Sequence, residues 1–151
     1  MTSLPMLAQD KFPFFKNLPV EEVTQLLKFF SRHQASAGEI IWHEGDKDNS
    51  AAFILSGQLG IKKMTEFTNR HIIVGTYSSG SVVGELCLLT DNNRTVTAEA
   101  LSDVELLFLS NENFEKLVNA HPTLGLKLLR GLFKMTSKRL TKSYERIASI
   151  F

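Results

Sequence analysis

Residues 84–95 read Gly-Glu-Leu-Cys-Leu-Leu-Thr-Asp-Asn-Asn-Arg-Thr, or GELCLLTDNNRT. An acid, Glu85, and a base, Arg94, stand nine positions apart with a turn-forming Thr90-Asp91-Asn92-Asn93 between them. A Gly-Glu pair entering a short helical turn presents backbone N–H groups of Glu85, Leu86 and Cys87, with their dipoles' positive ends outward, which is a small anion site. Arg94 adds a planar fork of donors matched to phosphate oxygens. The Thr95 hydroxyl adds one more donor. A carboxylate repels phosphate but accepts from a sugar hydroxyl, so the set suits a phosphate beside a ribose. There is no Gly-x4-Gly-Lys-Ser/Thr pattern, and a triphosphate with magnesium is poorly served. One Arg, one hydroxyl and a few amides suit a singly charged phosphate, as in a cyclic diester. Taken alone, the stretch is also compatible with a surface hairpin carrying two unrelated charges.

The surrounding chain has three zones. Residues 1–35 read as N-terminal helices: Val23, Leu26, Leu27 and Phe30 recur at helical spacing, with Pro19 in the first turn and Glu21 and Glu22 at the positive end of the dipole. Residues 36–110 change character. Glycines at 38, 45, 57, 60, 75, 80 and 84 separate short β-rich pieces, at 39–42, 52–55, 59–63, 71–74, 94–100 and 104–109. Such short strands predict an antiparallel sandwich or roll. Residues 111–151 return to a helical period, with Ser110 to Asn113 as cap candidates and His121-Pro122-Thr123 breaking one helix and starting another. Leu126, Leu129, Phe133, Thr136, Leu140, Ser143, Ile147 and Ile150 alternate by three and four, the pattern of a coiled-coil seam. The fold expected is α+β and mainly β: one domain, an antiparallel β-roll flanked by N-terminal helices and a long C-terminal helix.

Composition narrows the function. The 151 residues carry a net charge of +1, with 43% hydrophobic and 22% charged residues, an ordinary globular balance. A DNA-binding chain of this size is usually more basic. Cys87 is the only cysteine, which excludes an intrachain disulfide and a multi-cysteine zinc site. Neither a signal-peptide pattern nor a membrane-length apolar run is present, so a cytoplasmic setting is expected. The four His residues, at 33, 43, 71 and 121, are scattered and lack metal-site spacing. Without a nucleophile–base pair or a metal cluster, no catalytic residue, enzyme activity or cofactor is expected. The basic run Lys134, Lys138, Arg139 and Lys142 reads as a solvated helix face.

The sequence as a whole resembles cyclic-nucleotide-binding domains, such as those of the bacterial catabolite activator protein, the regulatory subunits of cyclic-AMP-dependent kinase and cyclic-nucleotide-gated channels. The resemblance is carried by FPFFKNLPVEEVTQLLKFF at 12–30, GEIIWHEGD at 38–46, FILSGQLGI at 53–61 and GSVVGELCLLTDNNRTVTAEA at 80–100, the last similar to the family's phosphate-binding cassette. It implies a β-roll of the double-stranded jelly-roll kind. It also implies that Glu85 accepts from the ribose 2′-hydroxyl, that Arg94 pairs with the cyclic phosphate, and that Thr95 donates to it. Gly84, Leu86 and Cys87 would line the phosphate and ribose. Val83 and Val96 depart from the usual residues, and Val96 adds bulk beside the ligand.

Lys138 to Tyr144 resembles the activator protein's helix segment facing the base, which makes Arg139, Ser143 and Tyr144 the base-side candidates. The resemblance thus implies a sensor binding cyclic AMP or cyclic GMP, with cyclic AMP favoured. The C-terminal helix would move onto the ligand and pair two copies into a homodimer, and output would pass to a downstream protein, without direct nucleic-acid or membrane contact. Two other readings are a non-binding interaction protein that keeps the fold and a fragment of an activator-type transcription regulator.

Overall fold

A computed structural model describes residues 2–151. Three short helices lead, α1 (Leu4–Lys11), α2 (Pro13–Lys16) and α3 (Val20–Leu27). Eight strands follow: β1 (Ser31–Ala35), β2 (Ile40–Trp42), β3 (Ser50–Ser56), β4 (Gln58–Met64), β5 (His71–Ser78), β6 (Val82–Val83), β7 (Thr97–Ala100) and β8 (Val104–Ser110). A 3₁₀ turn, Glu85–Leu88, sits between β6 and β7, and α4 (Asn111–Ala120) and α5 (Pro122–Ala148) close the chain. The strands form two antiparallel four-stranded sheets, β1-β8-β3-β6 and β2-β7-β4-β5. The expected β-roll between N-terminal helices and a long C-terminal helix is the architecture found.

The apolar run Ala51-Ala52-Phe53-Ile54-Leu55 is buried throughout because the β1-β8-β3-β6 sheet is covered on both faces. Strand side chains alternate between faces. Ala52 and Ile54 therefore meet the second sheet, joined by Leu59, Ile61, Ala98 and Leu106. Ala51, Phe53 and Leu55 meet the helices. There Phe53 packs against Phe12, Phe14, Phe15 and Phe30, with ring centroids 5.0 to 6.5 Å apart. Truncating a buried Phe of this kind costs about 3–5 kcal/mol.

Three boundaries differ from the sequence reading. The N-terminal helical zone ends earlier, since α3 stops at Leu27 and residues 31–35 form β1. β1 is polar and exposed apart from Ala35, and backbone pairing with β8, not an apolar face, makes it a strand. Pro19 is the N-cap of α3, one residue before its first turn. The strand read at 94–100 begins only at Thr97.

α4 starts where the cap candidates place it: the Ser110 hydroxyl accepts from the Asn113 N–H at 3.1 Å. Pro122 opens α5 at a position where its missing N–H is harmless. α5 has 27 residues. Its first half is anchored to the core by Leu124, Leu128 and Leu132. Gly131 lets it approach α2 so closely that an added Cβ would lie 2.3 Å from the Phe14 Cβ. Every residue from Leu140 onward is exposed.

Candidate functional site

The site is built around Gly84, whose φ of +73° turns the chain from β6 into the 3₁₀ turn. Glycine takes this left-handed conformation without the Cβ penalty. Space demands it too, because a Cβ here would lie 2.5 Å from Arg94 Nη1. The expected outward N–H cluster is smaller than the sequence implied. The Cys87 N–H closes the turn onto the Gly84 carbonyl at 3.1 Å, as a 3₁₀ bond requires.

Arg94 is 4% exposed, although it lies in an irregular loop. Its backbone is clamped by the turn after β2: the Arg94 N–H donates to the Asp46 carbonyl at 2.8 Å, and the Gly45 N–H to the Arg94 carbonyl at 2.7 Å. Its guanidinium lies over the indole of Trp42, 3.6 Å from the ring centroid. Nη2 donates to Asp48 Oδ2 at 2.7 Å and to the Ser50 carbonyl at 2.6 Å, and Nη1 to Cys87 Sγ at 3.3 Å. Nε is buried without a partner among the described residues. The head group is therefore held in a fixed orientation with donor capacity left over.

Glu85 stands across the same cavity and does not pair with Arg94. Its Oε1 accepts from Arg139 Nη1 at 3.3 Å and from the Thr136 hydroxyl at 3.2 Å, both on α5. Arg139 also donates to the Val82 carbonyl at 2.5 Å and lies over Tyr77, 4.6 Å from the ring centroid. The cavity measures about 250 Å³ and is lined by Gly84, Glu85, Leu86, Cys87, Arg94, Thr95, Val96 and Arg139, together with Trp42 and Tyr77.

Seven of the nine candidate residues thus converge: Gly84, Glu85, Leu86, Cys87, Arg94, Thr95 and Arg139. Ser143 and Tyr144 lie one turn beyond, outside the lining. The Ser143 hydroxyl donates back to the Arg139 carbonyl at 3.1 Å, and Tyr144 is 61% exposed. Sequence reasoning missed Asp48, Trp42 and Thr136. The Gly45-Asp46 turn signal lay beside Asp48, but no local pattern ties it to an arginine 46 positions away.

The sequence profile of the cyclic nucleotide-binding domain matches residues 32–121, and the chain belongs to this family. A lysophospholipase nte1 of Aspergillus oryzae is 34% identical over 136 residues, 84% of this chain and 9% of that protein. The chain thus spans less than a tenth of that relative's length. Among solved structures, a cyclic nucleotide-binding domain from Methylobacillus flagellatus superposes with a TM-score of 0.84 at 23% identity, covering 95% of this chain and 80% of that one. The cAMP-bound PfPKA-R superposes with a TM-score of 0.65 at 26% identity, covering 77% and 43%.

Proposed function

We propose that this chain is a cyclic-nucleotide sensor, with cyclic AMP as its preferred ligand, and that binding is read out through α5. The observation that carries the proposal is the division of one cavity between a buried, oriented guanidinium and a carboxylate held by α5. The phosphate docks on Arg94, with Thr95 beside it, and exchanges for part of the Asp48 contact. The ribose 2′-hydroxyl donates to Glu85, in competition with Arg139 and Thr136. The cyclic-AMP preference draws on the cAMP-bound PfPKA-R relative.

Ligand and helix are coupled because they share Glu85. Small-molecule sites usually measure about 300–1,000 Å³, and this cavity lies just below that range. Withdrawal of Arg139 enlarges it, so ligand binding favours a different position of α5. Ser143 and Tyr144 then come to the base from the repositioned helix, with the withdrawn Arg139 behind them. The helix population shifts in proportion to the ligand's differential affinity for the two positions. The domain acts as a regulatory module and passes the shift to a downstream protein.

A homodimer fits the same helix. Leu126, Phe133, Leu140 and Ile147, spaced by sevens, are 49%, 75%, 52% and 57% exposed. They form one stripe away from the core-facing Leu124, Leu128 and Leu132, and a second copy would cover it. Calorimetric titration with cyclic AMP and cyclic GMP tests the ligand: saturable heat with tighter cyclic AMP is expected, and no heat with either refutes the sensor reading. Sedimentation tests the dimer, which a purely monomeric boundary at high concentration, with and without nucleotide, would exclude.

A further inference from the structure

The basic run on α5 does not form one solvated face. Arg139 turns into the cavity just described. Arg130, Lys134 and Lys138 line a second groove on another side of the helix, between α5 and the α2 region. This groove measures about 490 Å³. Its floor is apolar: Leu18 is buried, and Phe14 and Met135 are half-buried. Gly131 sets the depth by drawing α5 onto Phe14. A fourth cation, Lys127, is neutralised by Glu22 at 3.2 Å. Arg130, Lys134 and Lys138 have no ion-pair partner among the described residues.

Like charges at i, i+4 and i+8 repel one another along a helix. In a chain of net charge +1, three unpaired cations above an apolar trough concentrate the positive field on one surface.

We propose that this groove docks an acidic amphipathic segment of a partner protein. Successive cations rise about 6 Å apart along the helix. Carboxylates four residues apart on a partner helix, or two apart on an extended strand, repeat at about 6–7 Å. A single phosphate or headgroup spans only one such interval. A membrane surface calls for apolar side chains that protrude, whereas here Phe14 and Met135 are half-buried in the groove lining. A segment with a row of Glu or Asp and an apolar stripe beside it satisfies rim and floor together.

The test needs no nucleotide, so its failure is separable from failure of the sensor reading. A labelled synthetic helical peptide with Glu at every fourth position and an adjacent leucine stripe is titrated into the full chain by fluorescence anisotropy. Saturable binding is expected, with chemical-shift changes at Phe14 and Met135. Binding should weaken about ten-fold or more in the Arg130→Glu/Lys134→Glu variant. The milder Arg130→Gln/Lys134→Gln variant serves if the charge-reversed chain fails to fold, with the same direction expected. Absence of peptide binding, or equal binding by the variants, overturns the proposal. So does competition by inorganic pyrophosphate that abolishes peptide binding at equal concentration, or capture by phosphatidylserine vesicles without peptide binding, which would assign the groove to a small anion or a lipid surface.

Discussion

Replacing Arg94 separates its place in the fold from its proposed role as a donor to the ligand. In the fold, Arg94→Ala removes a desolvated cation from the Trp42 face, an interaction of about 2 kcal/mol. It also removes the donor to the Ser50 carbonyl, about 1 kcal/mol. Against this, the cost of holding a buried charge disappears, and the abandoned Asp48 carboxylate, 36% exposed, regains water. The net destabilisation is about 1–2 kcal/mol, a few degrees in melting temperature for a chain of this size, so the variant stays folded. On the ligand side, one lost charge-assisted hydrogen bond costs about 1.5–3 kcal/mol, roughly ten- to a hundred-fold in affinity. Arg94→Lys keeps the charge but cannot reach Asp48, the Ser50 carbonyl and a phosphate at once, because it lacks the planar fork. It should fall between wild type and the Ala variant. Calorimetry with cyclic AMP reads the affinity, and melting without ligand reads the fold. A folded Arg94→Ala chain with wild-type affinity would refute the site, and a Lys variant as tight as wild type would refute the argument from the fork.

Glu85→Gln should weaken cyclic AMP about ten-fold yet hardly change binding of the 2′-deoxy analogue, and equal losses for both would remove Glu85 from the ribose. Gly131→Ala gains about 1 kcal/mol of helix propensity, but its Cβ meets Phe14 and overpacking costs about 1–3 kcal/mol. Net destabilisation is expected, and a raised melting temperature would contradict the close approach of α2 and α5. The Glu44 carboxyl is held below its ordinary value of 4.5, chiefly by its hydrogen bond from Lys63. A depressed carboxyl stabilises the fold above that ordinary value and loses the contribution as pH falls through the folded one. The difference in melting temperature between wild type and Lys63→Met should therefore shrink as pH falls below the ordinary 4.5, and a constant difference would dismiss the pair.

What was legible in the sequence follows from what local pattern encodes. The roll could be read because its inner strands carry apolar runs, such as Ala51 to Leu55, and glycines mark their ends. β1 could not, because Ser31-Arg32-His33-Gln34 has no apolar face and owes its conformation to β8, more than seventy residues away. The two-residue β6 is too short for any period to register. The convergence of Gly84, Glu85, Arg94 and Thr95 was legible through the family resemblance of residues 80–100, although Arg94 is held in place by the distant Gly45-Asp46 turn.

The partners of these residues were not legible. Asp48 and Trp42 reach Arg94 from a segment about fifty positions earlier in the chain. Thr136 and Arg139 reach Glu85 from a helix 51 and 54 positions later. These long-range partners give the site its internal competition. A carboxylate already holds the Arg94 guanidinium, and a guanidinium and a hydroxyl from α5 already hold Glu85, the proposed ribose acceptor. Local sequence therefore specifies what the cavity can bind, while distant sequence specifies what binding must displace. On the proposed reading the displaced group is Arg139, on a helix that also carries the exposed stripe and the basic groove. A ligand competing for Glu85 would consequently act on the half of α5 beyond its core anchors Leu124, Leu128 and Leu132.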